Sequence, residues 1–135
     1  MLTVQIKKKL GDFQLSADFA VRAASITTIF GKSGAGKTSL INVIAGLSRP
    51  DTGAIHLGEI TLFDQERGLC LRTHERQIGY IFQDDRLFPH LTVRKNLLYG
   101  ATPRRGESTE IKFADVLDLL GIRPLLERKP NALSG

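Results

Sequence analysis

The sequence predicts an α/β fold, on three observations. The run "ASITTIF" at 24–30 is short, apolar and β-branched, and closes on a glycine, as does a strand buried inside a parallel sheet. From Lys37 the apolar period lengthens. Leu40, Ile44 and Leu47 recur at i, i+4 and i+7, with Ile41 and Val43 widening the face, as on one side of a helix. Ahead of both, residues 2–9 and 12–20 are strand-like stretches around Gly11-Asp12, a dipeptide suited to a hairpin turn, so an antiparallel flank is expected before the alternating part.

Composition agrees with one ordinary globular domain: 135 residues, 41% hydrophobic and 24% charged. No apolar stretch approaches the ~20 residues of a membrane-spanning helix, and "MLTVQIKKKL" does not read as a secretory leader. Cys70, the single cysteine, has no internal partner for a disulfide, which fits a reducing compartment. A net charge of +5 suits nucleic acid or an anionic membrane surface, and more simply a solvated surface with a few phosphate-binding cations. Lys7, Lys8 and Lys9 read as an exposed strand edge rather than as an RNA-binding arm.

The remaining elements follow in order. The helix from Lys37 runs about three turns and ends at Gly46 and the "SRPDTG" turn. "AIHLGEITLF", 54–63, divides into two short strands around Gly58, and "QIGYIF", 77–82, is a second buried-strand candidate. Phe113, Val116, Leu117 and Leu120 mark a helix over 108–120, opened by Ser108 and stopped by Gly121. Pro124 opens a short helical turn, and 100–109 is a loop. There is no internal repeat and no low-complexity linker.

The segment "GKSGAGKTSL" carries chemistry. Gly31, Gly36, Lys37 and Thr38 satisfy G-x-x-x-x-G-K-[ST], the phosphate-binding loop known as Walker A. Glycines let the backbone curl so that successive N–H groups point inward as an anion nest. The helix beginning near Lys37 adds its positive N-terminal end. Lys37 is placed to reach the β- and γ-phosphates and the Thr38 hydroxyl to ligate Mg²⁺. Gly31, Lys32, Ser33, Gly34, Ala35, Gly36, Lys37, Thr38 and Ser39 are therefore the expected binding set for ATP with Mg²⁺. The setting between a buried strand and an amphipathic helix separates this motif from a chance glycine turn, and assigns a P-loop NTPase core.

Further along, "YIFQDDRLFPHLTVRKNLLYG" at 80–100 resembles the Q-loop and following segment of the ATP-binding-cassette (ABC) ATPases, particularly those of bacterial importers. "LSG" at 133–135 matches the start of that family's LSGGQ signature. Walker A, Q-loop and signature occur in the family's order across the whole chain. Within the family, "GLCLRTHERQIGYIFQDDRLFPHLTV" is most similar to the ATPase subunits of molybdate importers. The transported solute does not touch such a subunit, so that assignment rests on resemblance alone.

The resemblance implies roles for named residues. Gln83 would contact Mg²⁺ and the attacking water, and with Lys37 forms the expected catalytic pair. Residues 84–99 would receive a coupling helix of integral membrane permease subunits. Ser134 and Gly135 would cap the γ-phosphate bound by a second copy, in a head-to-tail homodimer enclosing two ATP molecules. A periplasmic oxyanion-binding protein would act indirectly, no nucleic acid would be involved, and the assembly would sit on the cytoplasmic face of the bacterial inner membrane. By the same resemblance, 1–95 forms the nucleotide-binding core with its β flank and 96–135 begins a helical subdomain. The family continues past the signature with the Walker B aspartate, general-base glutamate and switch histidine. The chain is thus expected to be an incomplete N-terminal fragment that binds MgATP without efficient hydrolysis. Two other readings stay open: a soluble ABC protein acting on ribosomes or DNA, and a non-catalytic nucleotide-binding stub.

Other features have plainer explanations. Asp84 and Asp85 are adjacent and point apart along an extended loop, which suits solvated or capping carboxylates better than a metal pair. His56 and His74 lack ligand spacing. His90 reads as loop packing, Phe82 and Phe88 as packing anchors, and Cys70 as a buried apolar side chain. The family's adenine-stacking aromatic has no clear counterpart: Leu10 occupies the place, with Phe13 three residues on.

Overall fold

The structure, a computed structural model, describes residues 1–84, 86–101 and 112–133. The chain divides into two compact units, Met1–Ile81 and Phe82–Gly135. The first is built on a five-stranded sheet in the order β2-β1-β3-β4-β5, antiparallel throughout. Strand β1 (Leu2–Leu10) and β2 (Phe13–Val21) form the hairpin expected around Gly11-Asp12. Helix α1 (Lys37–Ala45) follows, then β3 (Thr52–Leu57), β4 (Ile60–Asp64) and the two-residue β5 (Leu69–Cys70).

The period-2 alternation decides which face is covered. Val4 and Ile6 of β1 are buried, whereas Gln5, Lys7 and Lys9 between and beyond them are exposed. Val4 lies opposite Phe19 on one side and Ile55 on the other. Leu40 and Val43 of α1 join Val4, Ile6, Leu15, Ile55, Leu62 and Phe63 in one core. Burying each such aliphatic side chain contributes about 1.5–3 kcal/mol, which is what docks the short helix on the sheet. The turn after α1 is tied back to β1. The Lys9 amide donates to Asp51 Oδ2 (2.6 Å), the Asp51 amide to Lys7 O (2.9 Å), and Lys8 Nζ to Arg49 O (2.6 Å).

Three expectations need correction here. Lys7 does not lie on a sheet edge: β1 is flanked by β2 and β3, with Lys7 paired to both Ser16 and Thr52, whereas Lys8 and Lys9 run past the end of β3 and pair with β2 alone. The return of β3 to β1 after an intervening helix is a long-range pairing that local composition does not announce. Neither 24–30 nor 77–82 is a strand. Ile26, Phe30 and Ile81 are 98%, 90% and 97% exposed. A parallel strand is held by ladders to its neighbours, and among the described residues neither run joins a strand ladder. The apolar character was read correctly, the partnering was not. Cys70 is an exposed residue rather than a buried one, because the two-residue β5 ends the sheet and has no strand beyond it.

In the second unit, α2 (Val93–Leu97) is capped by Thr92, whose Oγ1 accepts from the Lys95 amide (3.3 Å). Its first amides find partners downstream: Val93 N on Arg128 O and Arg94 N on Leu126 O, both 2.9 Å. Helix α3 (Phe113–Leu120) ends at Gly121, whose φ of 64° is the left-handed stop expected there. The predicted start at Ser108 lies outside the described residues, as does most of the 100–109 loop. A 3₁₀ turn over Arg123–Leu125 carries Pro124, as expected. Val93, Leu117 and Leu126 form this unit's own small core, with Phe113, Ile122 and Leu133 around it. Leu120, placed on the core face by its spacing, is 60% exposed, and so is its neighbour Leu119 at 84%.

Candidate functional site

The loop 31–36 leads from the 24–30 run into α1, and its shape has local causes. Gly36 is the N-cap of α1, with φ 84° and ψ 11°, a left-handed conformation that costs an L side chain about 1 kcal/mol or more. A Cβ at this position would also sit 3.1 Å from Phe13 Cε1 and 3.2 Å from Leu15 Cδ1. The loop therefore lies against the tip of the β1–β2 hairpin, and only glycine meets both demands.

The start of α1 is electrostatically open. No side chain caps it and its first turn contains no acidic residue, so the partial positive charge of the helix end is left for an anion. The Lys37 ammonium folds back over the loop, donating to Gly31 O and Lys32 O at 2.8 Å each. The Ala35 amide donates to Lys32 O (3.2 Å), tightening the same turn. A cation, a helix N-terminus and a curled backbone are thereby gathered between Gly31 and Lys37, the arrangement that stabilises phosphate oxygens. Gly31, Lys32, Ser33, Gly34, Ala35 and Thr38 are exposed, and Gly36, Lys37 and Ser39 half-buried.

Of the two places considered for an adenine platform, Leu10 is drawn into the core, whereas Phe13 stays 44% exposed beside Gly36. A separate hollow of about 590 Å³, lined by Phe19, Val21, Thr28, Ile29, Phe30 and Leu40 among others, is mainly apolar and does not include the glycine loop.

Gln83 belongs to the second unit, where it lies exposed in a bend beside Asp84. Asp84 pairs loosely with Arg86 (3.7 Å), and the Arg86 guanidinium lies over the Phe82 ring, 5.0 Å from its centroid. The 88–92 stretch is knotted by Asn96. Its Oδ1 accepts from the Phe88 amide (2.7 Å), and its Nδ2 donates to the carbonyls of Phe88 (3.1 Å), Thr92 (3.0 Å) and Leu91 (3.3 Å). Phe88 meets the Tyr99 ring at a tilt of 40° and His90 edge-on, so its anchoring is local and at the surface. Asp85, Ser134 and Gly135 lie outside the described residues. His56 is satisfied by Thr61 Oγ1 (3.1 Å). Among the described residues, no group of His, Cys, Asp and Glu is arranged to hold a metal ion by itself.

Spacing gave no hint of Arg76, Tyr80 or Asn96. A lone arginine inside "THERQIGY" carries no periodic signal, and its helix partners, Val43 O and Ile44 O, lie 33 and 32 residues upstream.

Comparison with known proteins is consistent across sequence and structure. A family model described as ABC transporter matches residues 15–135. The molybdenum import ATP-binding protein ModC of Vibrio cholerae is 53% identical over 132 residues, 98% of this chain and 35% of its own length. The protein of the same name from Haemophilus influenzae is 50% identical over the full chain and 37% of its own length. The chain therefore spans about a third of the length of these relatives. Among solved structures, the dimeric bacterial ABC transporter cassette MJ0796 superposes with a TM-score of 0.72 at 27% identity, over 100% of this chain and 64% of its own. The post-hydrolysis state of MJ0796 bound to ADP and Pi gives 0.68 at 25% identity, over 99% and 63%. With Walker A geometry inside a matched family model and a shared cassette fold, the chain belongs to the ABC transporter family.

Proposed function

We propose that this chain is the nucleotide-binding part of an ABC importer ATPase, and that the observation carrying this reading is the Gly31–Lys37 loop. Its glycine N-cap, uncapped helix start and inward-turned ammonium suit a polyphosphate. In this reading Gly31, Lys32, Ser33, Gly34, Ala35, Gly36, Lys37, Thr38 and Ser39 hold ATP. Lys37 would exchange its two carbonyl partners for β- and γ-phosphate oxygens, and the Thr38 hydroxyl would be a ligand for Mg²⁺. Phe13 supplies an aromatic face beside the loop for adenine. ATP would supply a transferable γ-phosphoryl group, and by the family resemblance Gln83 would orient the attacking water.

The proposed assembly is a head-to-tail pair of copies, in which Ser134 and Gly135 of one face the nucleotide of the other. Residues 84–99 would take the coupling helix of an integral membrane permease at the cytoplasmic face of the inner membrane. The relatives named for molybdenum import support molybdate as the solute, delivered by a periplasmic binding protein. Titration of the 135-residue chain with MgATP tests the site: saturable binding without sustained turnover is expected, lost in Lys37→Ala. Absence of binding would refute it. For the importer reading, the natural protein should co-purify with a membrane permease, and co-purification with RNA would instead favour the ribosomal alternative.

A further inference from the structure

Arg76 is the one polar or charged residue that is fully buried among the described residues, 1% exposed. Its guanidinium is spent on main-chain carbonyls. Nε donates to Leu71 O (3.0 Å), while Nη1 donates to Val43 O (2.9 Å) and Ile44 O (2.8 Å). Nη2 faces Cys70 Sγ at 3.8 Å, and no carboxylate among the described residues pairs with it. A buried cation without a carboxylate is costly unless something else carries negative potential. Here that something is the C-terminal end of α1, whose last carbonyls bear the negative end of the helix dipole, with Val43 O shared between Arg76 and the Gly46 amide (3.2 Å). The helix has no basic residue of its own in its last turn.

The fit is sterically exact in one place. A Cβ on Gly46 would lie 2.6 Å from Arg76 Nε and 2.9 Å from Cζ, so the guanidinium occupies the space that glycine leaves. Two further contacts flank it. Thr73 Oγ1 donates to Gly46 O (3.0 Å), and Tyr80 OH to Asn42 Oδ1 (2.6 Å). The segment 73–80 thus grips the 42–46 end of the same nine-residue helix whose other end is the Gly36–Lys37 loop, and Gln83 follows three residues after Tyr80.

We propose that Arg76 is a positioning residue for the phosphate loop: it holds α1 from its C-terminal end, completes the helix dipole opposite the bound phosphates, and makes 73–80 respond when the loop is filled. A short α-helix moves as a rigid rod, so an anion at one end and a cation at the other reinforce each other. This inference rests on the reading of 31–39 as a phosphate site.

The test uses the 135-residue chain, with MgATP affinity by calorimetry and amide hydrogen exchange over 73–81 with and without MgATP. Arg76→Gln is expected to weaken binding roughly tenfold, the size of effect a charge at a helix end produces. Arg76→Lys, which keeps the charge and loses the fork, should recover about half of that loss on a logarithmic scale. Tyr80→Phe should stay folded and bind MgATP, with reduced ligand-induced protection at 76–80. If Arg76→Gln fails to fold by circular dichroism, Arg76→Lys and Tyr80→Phe decide the matter. A merely structural Arg76 would lower the thermal midpoint and leave the affinity of folded protein unchanged. Wild-type binding with all folded variants within twofold, and no MgATP-dependent protection at 76–80, would overturn this inference alone. Failure of the wild type to bind MgATP would remove both it and the phosphate reading.

Discussion

Gly36→Ala is expected to destabilise the first unit by about 2–3 kcal/mol, in two separable parts. The left-handed backbone at φ 84° costs an alanine about 1–2 kcal/mol. The new methyl would lie 3.1 Å from Phe13 Cε1 and 3.2 Å from Leu15 Cδ1. Phe13, half exposed, can swing outward, but Leu15 is buried and must shift within a packed core, adding about 1 kcal/mol of overpacking. Gly31→Ala is the matched control. Gly31 lies outside the left-handed region, and its Cβ would make an ordinary 3.4 Å contact with Ala35 Cβ, so a change within ~0.5 kcal/mol is expected. Urea unfolding followed by far-ultraviolet circular dichroism measures both. Adding Phe13→Ala to Gly36→Ala should relieve part of the contact strain but none of the backbone cost, giving a measurable coupling. MgATP titration in parallel should show weakened binding for Gly36→Ala, because the nest geometry is altered. Equal stabilities for the Gly36 and Gly31 variants, or no coupling to Phe13, would refute the geometry from which these magnitudes were worked.

The exposed Ile26 and buried Ile55 should respond oppositely to truncation. Ile26→Ser is expected to change stability by less than ~0.5 kcal/mol and Ile55→Ala by about 2–5 kcal/mol in the same unfolding assay, and a large loss from Ile26→Ser would restore 24–30 as a paired strand in this chain. Asn96→Ala should release the 88–92 stretch, seen as faster amide exchange at Phe88 with the sheet of the first unit unaffected; unchanged exchange would show that the Asn96 contacts do not hold that amide. The Glu75 carboxyl is held down to about 2 from its usual 4.5, chiefly by the Arg72 guanidinium and then by the Arg72 amide. A depressed carboxylate stabilises fully above its unfolded value and loses that contribution as pH falls through the folded one. The Thr73–Glu75 turn should therefore loosen between pH 4.5 and about 2, read by a titration of the Glu75 carboxylate resonance, and Glu75→Gln should abolish that dependence.

What the sequence determined by itself was local. The Gly11-Asp12 hairpin, the helix from Lys37 with its stop at Gly46, the paired strands around Gly58 and the stop at Gly121 each depend on a backbone dihedral or an apolar period within about ten residues. The phosphate loop was legible for the same reason, since its glycine spacing, lysine and following helix are contiguous. Tertiary structure decided what depends on distant partners. It made β1 a central strand by bringing β3 back to it, left 24–30 and 77–82 outside the sheet, and left Cys70 exposed at the last strand. It also placed Phe13 against Gly36 and drove the Arg76 guanidinium into the space beside Gly46. A residue's period reports its own element, whereas burial and charge compensation are set by whichever element the chain folds against it, and no spacing in the sequence encodes that.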